Sequence, residues 1–451
     1  MIDQIFSALS TVDDFYWRYI GFFLVVLAGL YFSVKSRFYQ IRVLKHLPAT
    51  VRALAAYGKQ EMPGVSPIRL YFASIGGMVG LGNIVAVITA LLIGGPGALF
   101  WLWIAAFAGM LIKYAEIYLG MKYRRTNGLE GYDGGPMYTI PGAFKGKGGI
   151  ILANIAAVLL CIYGVEIFQF TVIVDTIQDN LPIGKEIIIL VLLVFTVYVG
   201  LGGVKRLANV CTLLMPLFIV LYVMLCGWVI FLNMEMVPEM FVTIFKSAFV
   251  GHAAIGGFAG STLLMAAQQG AARAVYSGDI AIGFDSIIQS ETKTNNFYYQ
   301  SRLAIVAAFT DALICSMSMI VVYLTGLWMD PVSFKTSEYV AHALAMHIPH
   351  SQYFIAFIIF LAGFTTILAY FAVGVKAAKF LSPRFGRAIY YVFAIFAFWF
   401  FAHFDQTKVY LIMSLSGGLL ILVNLSAIIK LRKEVCFKFG KVETEIEQGK
   451  G

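Results

Sequence analysis

The chain has 451 residues, 60% of them hydrophobic and 13% charged, against roughly 25% charged in an ordinary soluble domain. Apolar runs of about 20 residues, enough to cross a bilayer as helices, recur along its length. This excludes a soluble globular protein, and the +9 net charge reads as a membrane-orientation signal, since its placement rules out a nucleic-acid patch.

The pattern predicts an all-α polytopic membrane protein of about eleven spans. Taken in order they cover residues 20–34, 71–93, 97–121, 149–173, 186–204, 209–232, 249–270, 301–329, 353–375, 388–403 and 409–429. The N-terminus carries Asp3, Asp13 and Asp14 where a cleavable signal would be basic, so the first run reads as a retained span. With the N-terminus outside, most of the 33 basic residues fall in inner segments. Examples are Lys35 to Arg69, Lys122 to Arg125, Lys205 with Arg206, Arg273 to Arg302, Lys376 to Arg387, and the tail. Residues 35–69 form an inner amphipathic stretch, and the charged tail after Lys430 reads as short and mobile. Cys161, Cys211, Cys226, Cys315 and Cys436 suit small buried hydrophobes, with no disulfide or zinc spacing.

The second span contains Gly76-Gly-Met-Val-Gly-Leu-Gly-Asn83. Each glycine costs a helix interior roughly 1 kcal/mol against alanine. In lipid, unwound backbone is tolerated only where protein or a cavity satisfies it. The segment therefore reads as a broken helix lining a cavity. A second glycine-rich interruption, Gly256-Gly-Phe-Ala-Gly-Ser-Thr262, opens the seventh span. Setting the first span aside leaves two groups of five, residues 71–232 and 249–430, each starting with a broken helix. Five being odd, any repeat must be inverted, which is the LeuT-type arrangement of secondary transporters.

Several polar residues lie within spans, where such groups are costly. Unwinding near Gly80, Leu81, Gly82 and Asn83 would expose N–H groups at a half-helix start, an anion site suited to a carboxylate. Thr365 and Thr366 offer hydroxyls that, with carbonyls of the break, suit a sodium ion. Lys113 and Glu116 are three apart and read as a structural pair. Glu166 and Gln169 share a helix face: Gln169 could bond a substrate, and Glu166 could hold a proton or cation. Asp311 needs a partner, whether a cation, a substrate ammonium or a polar neighbour. Residues 273–293 read as an inner loop with a packed, gating character. No catalytic or cofactor motif is present in the sequence.

These residues resemble the alanine/glycine:cation symporters, sodium-coupled amino-acid carriers with a LeuT-type core. The likeness rests on Gly80-Leu-Gly-Asn83, Gly94-Gly-Pro-Gly-Ala98, Lys113-Tyr-Ala-Glu116, Gly134-Gly-Pro-Met-Tyr138, Phe258-Ala-Gly260, Arg273, Tyr276-Ser277, Asp311 and Cys315. It implies a substrate site at Gly80 to Asn83, Phe258, Gly260, Ser261, Gln169, Thr366 and Tyr370. It implies a sodium site from Gly76, Gly77, Thr365 and Thr366, with no organic cofactor. The implied location is the cell membrane, and the implied cargo is a small neutral amino acid with Na⁺. The chain departs from the family pattern at Leu81 (usually Thr), Glu166 (usually Asn) and Tyr370 (usually Trp). It departs again across Ser277–Gly283 and Ala372–Val375. The departures leave open the particular amino acid, proton in place of sodium coupling, and a non-transporting sensor on the same fold.

Overall fold

The computed structural model describes residues 2–57, 63–128, 131–250, 263–329, 335–349 and 351–438. Helix α1 (Ile2–Tyr16) passes through a π-helical turn at Trp17–Gly21 into α2 (Phe22–Lys35), and α3 (Tyr39–Lys45) and α4 (Leu47–Tyr57) follow. Helix α5 (Pro67–Met78), a second π-helical turn (Gly82–Ala86) and α6 (Val87–Gly94) form one interrupted segment. Helix α7 (Gly97–Lys122) leads to a small antiparallel pair, β1 (Arg125–Thr126) with β2 (Tyr132–Asp133). Next come α8 (Pro136–Ala143), α9 (Lys147–Tyr163), α10 (Ile167–Asn180), α11 (Lys185–Leu201), α12 (Gly203–Leu232) and α13 (Val237–Val250). The chain continues through α14 (Leu263–Ser277), α15 (Phe284–Gln289), α16 (Phe297–Leu324), α17 (Tyr339–Ala345), α18 (Ser351–Leu381), α19 (Gly386–Phe401) and α20 (Gln406–Lys430).

Among the described residues, seven helical stretches are long and apolar enough to cross a membrane, or eight if α5 and the bent segment after it count as one. Local chemistry sets their ends. Pro67 starts α5, where its missing N–H is no loss. Asn296 and Asp405 cap α16 and α20 by accepting backbone N–H groups. Large apolar side chains on α11, α12 and α19, such as Leu190, Leu213 and Val392, stand exposed, as a lipid-facing rim requires.

Helices α7 and α18 are the most enclosed of these stretches. Helix α7 packs against α2, α14 and α16, while α18 packs against α9, α10 and α12. The interrupted α5–α6 segment lies between these two groups, with α5 against α12 and α18 and α6 against α14 and α16.

Two expectations change here. Arg273 does not lie with the inner charges: its guanidinium donates to the Tyr410 hydroxyl, at the opposite end of α20 from Lys430. The first residues of the tail are docked, because the bundle offers them partners. Arg302 and Tyr39 donate to the Lys438 carbonyl at 2.7 and 3.0 Å, and Lys122 pairs with Glu434 at 2.8 Å. Phe437 stacks on Tyr114. The tail from residue 439 lies outside the described residues.

Candidate functional site

The first break is narrower than the glycine pattern suggests. Gly76 and Gly77 remain in α5, and the helix is interrupted at Val79–Leu81. The freed backbone donors are satisfied within the protein: Gly80 N–H donates to Asn83 Oδ1 at 3.1 Å, and Leu81 N–H donates to Gln169 Oε1 at 2.9 Å. Glycine is required at position 80, where a Cβ would lie 2.5 Å from Thr366 Oγ1.

A second break faces the first, between α14 and α15. Residues 278–283 read as part of an inner loop from the sequence, yet they are buried inside the bundle. Asp279 (φ 48°), Ala281 (φ 64°) and Gly283 (φ 108°) are left-handed. For the two non-glycines this costs about 1–2 kcal/mol each, and the cost is met by anchors from neighbouring helices. Lys113 donates to the Gly278 carbonyl, and Asn424 donates to the Ala281 carbonyl at 2.9 Å. The sequence-predicted interruption at 251–262, with Phe258, Gly260 and Ser261, lies outside the described residues.

Between the two breaks is a small cavity of about 10 Å³ lined by buried residues, the space of a single water. Gly77, Met78 and Gly82 line it from the first break, and Tyr276, Ser277 and Asp279 from the second. Tyr163, Glu166 and Gln169 close one side, and Thr366 and Tyr370 of α18 close another. Tyr370 stacks on Phe284 with ring centroids 4.4 Å apart. Tyr276 packs on Tyr410 at 5.2 Å, so aromatic rings stand at both ends.

Of the residues singled out from the sequence, Gly77, Gly82, Glu166, Gln169, Thr366 and Tyr370 therefore meet at one cavity. Leu81 has its side chain against Gly363 of α18. Asn83 turns away toward α16, where its amide donates to Asp311. Asp311 also accepts from Ser277 at 3.0 Å. Its partners are thus polar neighbours, and it ties the two breaks together. Thr366 Oγ1 lies 3.1 Å from both the Gly76 and Ala362 carbonyls. Thr365 bonds back to Leu361 and Ala362 and touches Met215 Sδ at 3.2 Å.

The Lys113–Glu116 pairing does not form. Lys113 Nζ instead lies 2.6 Å from Asp285 Oδ2, both side chains being fully buried, and Asp285 accepts from Ser74. Neither Glu116 carboxylate oxygen has a hydrogen-bond partner. Tyr163, Tyr276, Ser277 and Asp279 are cavity residues that the sequence reading did not assign to the site. The available signal was the run Tyr276-Ser-Gly-Asp279, polar and glycine-bearing between apolar stretches.

Further along α18 from Tyr370 is a larger cavity of about 740 Å³, lined in part by Val65, Val204, Glu291, Val375, Lys376 and Lys379. An ion-pair network sits on its wall. Lys376 Nζ lies 3.2 Å from Asp133 and 2.6 Å from Glu291, and Lys379 Nζ lies 2.9 Å from Asp133. Burial pushes the Asp133 carboxyl up, but Lys376 and Lys379 outweigh it and hold its pKa below the usual carboxylate range. A depressed folded-state pKa means the contribution is complete at neutral pH and is lost as pH falls through that lowered value. Replacing Lys376 with Met should move the acid-unfolding midpoint of the purified protein to higher pH. An unchanged midpoint would show that the network adds nothing.

Two interrupted helices facing each other across a buried polar cavity define a secondary transporter of the LeuT type. The fold is shared with the solved structure of MhsT in complex with L-phenylalanine (TM-score 0.57, 12% identity, covering 82% of this chain and 90% of that one). The model of the sodium:alanine symporter family matches residues 2–451, and the chain belongs to that family. It is similar to an "Uncharacterized transporter" of Haemophilus influenzae, with 34% identity over 95% of this chain and 94% of the relative. It is also similar to the sodium/alanine symporter AgcS of Methanococcus maripaludis, with 26% identity over 87% of each chain.

Proposed function

We propose that this transporter carries a small neutral amino acid of the alanine/glycine class together with Na⁺ across the cell membrane by alternating access. The observation that carries the reading is the small cavity between the two breaks. The Leu81 N–H, held by the Gln169 amide oxygen, is the donor that a substrate carboxylate takes over, with Gly82 allowing close approach to the main chain. Na⁺ would be held by the Thr366 hydroxyl oxygen with the Gly76 and Ala362 carbonyls, the hydroxyl keeping its proton and turning it away, with Thr365 turning in to join it.

In this reading α11, α19 and the α14–α15 pair add to the eight apolar stretches to make eleven spans. Residues 1–70 stand outside the inverted five-helix repeat, and residues 431–451 form the cytoplasmic tail. The N-terminus faces outward and the cavity beside Lys376 opens to the cytoplasm. Substrate leaves through it once Phe284 and Tyr370 part.

The test is uptake of labelled amino acids into proteoliposomes under an inward Na⁺ gradient, an H⁺ gradient or neither. Alanine or glycine should accumulate only with Na⁺. Accumulation driven by H⁺ alone would overturn the coupling assignment, and no accumulation of any amino acid would overturn the carrier reading. Thr366→Val should raise the Na⁺ concentration for half-maximal uptake about tenfold or more, since a hydrogen bond to a charged group is worth about 1.5–3 kcal/mol. An unchanged Na⁺ dependence would remove Thr366 from the ion site.

A further inference from the structure

We propose that Glu166 and Asp279 together form the subsite for the ammonium group of the substrate, so that the cavity recognises an α-amino acid through a buried carboxylate pair. This rests on the amino-acid carrier reading above and assigns the positive end of the ligand within the same site.

Both carboxyls line the cavity, and their residues are only 2% and 3% exposed. Glu166 Oε2 has no hydrogen-bond partner, and Asp279 has the Tyr370 hydroxyl beside its carboxylate. Each residue is held with left-handed φ, at 51° and 48°, although neither is glycine. Backbone strain of that kind persists only where the surroundings enforce it, and it gathers at binding sites. Glu166 immediately precedes α10, where the helix dipole favours a negative charge. The two carboxyls are close enough for their charges to repel.

Among the described residues, neither carboxyl has a cation in a salt bridge with it. Lys113, whose charge reaches Asp279, is already committed to Asp285 and the Gly278 carbonyl. Tyr163, Tyr276 and Tyr370 also line the cavity and carry no formal charge. Buried carboxylates in a membrane need a positive partner, and here the ligand provides it. Gln169, one turn along α10 from Glu166, holds the Leu81 N–H at 2.9 Å. The carboxylate and ammonium ends of one small zwitterion thus have separate partners: the first break for the former, the Glu166–Asp279 pair for the latter.

The experiment is equilibrium binding to the purified full-length protein in Na⁺, using L-alanine, propionate (which lacks the amine) and ethylamine (which lacks the carboxylate). Wild type should bind L-alanine, and propionate should not compete. Glu166→Gln and Asp279→Asn should each weaken L-alanine binding about 30-fold or more, as removing one side of a buried charge pair does. Glu166→Asp should keep most of the affinity and shows that the position tolerates change. L-Alanine binding to Glu166→Gln within about threefold of wild type would overturn the proposal, including the case in which only its pH dependence changes and the pair holds a proton. If wild type binds no neutral amino acid, the carrier reading falls, and ethylamine then decides. Loss of ethylamine binding in Glu166→Gln upholds the cationic subsite, and absence of ethylamine binding in wild type rejects it.

Discussion

Replacing Asp285 with alanine should destabilise the protein by about 3–5 kcal/mol, because it leaves the Lys113 ammonium buried without its partner. The pair is fully buried, at 2.6 Å, and it joins three elements. Lys113 comes from the middle of α7, Asp285 from the first turn of α15, and Ser74 of α5 donates to the same carboxylate. Lys113 also caps the Gly278 carbonyl of the unwound segment, so losing the pair should loosen the second break as well. One internal relief, beside Asp279 whose charge already reaches Lys113, is Glu116, three residues along α7. If Lys113 turns to it, the loss falls at the low end of the range. Thermal unfolding in detergent measures the effect. Lys113→Met combined with Asp285→Leu should recover most of the stability, since replacing both charges by apolar side chains removes the desolvation cost with the attraction. A melting temperature for Asp285→Ala equal to that of wild type would show that the pair carries no stability.

That pair also shows which parts of the fold could be read from the sequence. The first break was legible because close packing around it calls for glycine: four glycines in eight residues are a compositional signal. The second break was not, because Asp279 and Ala281 carry its left-handed backbone, and their cost is met by Lys113 and Asn424 from distant helices. No local pattern reveals such compensation. For the same reason spacing paired Lys113 with Glu116, its neighbour on the helix face, when tertiary packing delivers Asp285. Gln169 and Thr366 were singled out as polar side chains within spans and Tyr370 from a family likeness, and they converge because α10 and α18 pack together. The docking of Phe437 and Lys438 depends on Tyr39, Tyr114 and Arg302 meeting beneath the bundle, a meeting that only the folded chain creates.

Replacing Gly77 with alanine should lower uptake about tenfold or more while leaving the protein folded. Gly77 of α5 sits against Phe284 of α15: a Cβ there would run into the Phe284 ring, and that ring stacks on Tyr370. On the proposed path the Phe284–Tyr370 stack separates the small cavity, which Tyr370 lines, from the larger one lined by Val375 and Lys376 further along α18. A methyl at position 77 therefore acts on the barrier between the two. Overpacking a core costs about 1–3 kcal/mol, which shifts a closed-to-open equilibrium about five- to 150-fold. The displaced ring leaves the inner side ajar, so Na⁺ and substrate bound from outside are no longer occluded and accumulation fails. Phe284→Ala in the Gly77→Ala background separates the two causes. It removes the clash, at a cost of about 3–5 kcal/mol for emptying a buried Phe site, and it also removes the barrier, so uptake should stay low. Wild-type uptake in Gly77→Ala would mean that the inner barrier lies elsewhere. Restored uptake in the double variant would mean that overpacking alone caused the loss, and that Phe284 seals nothing.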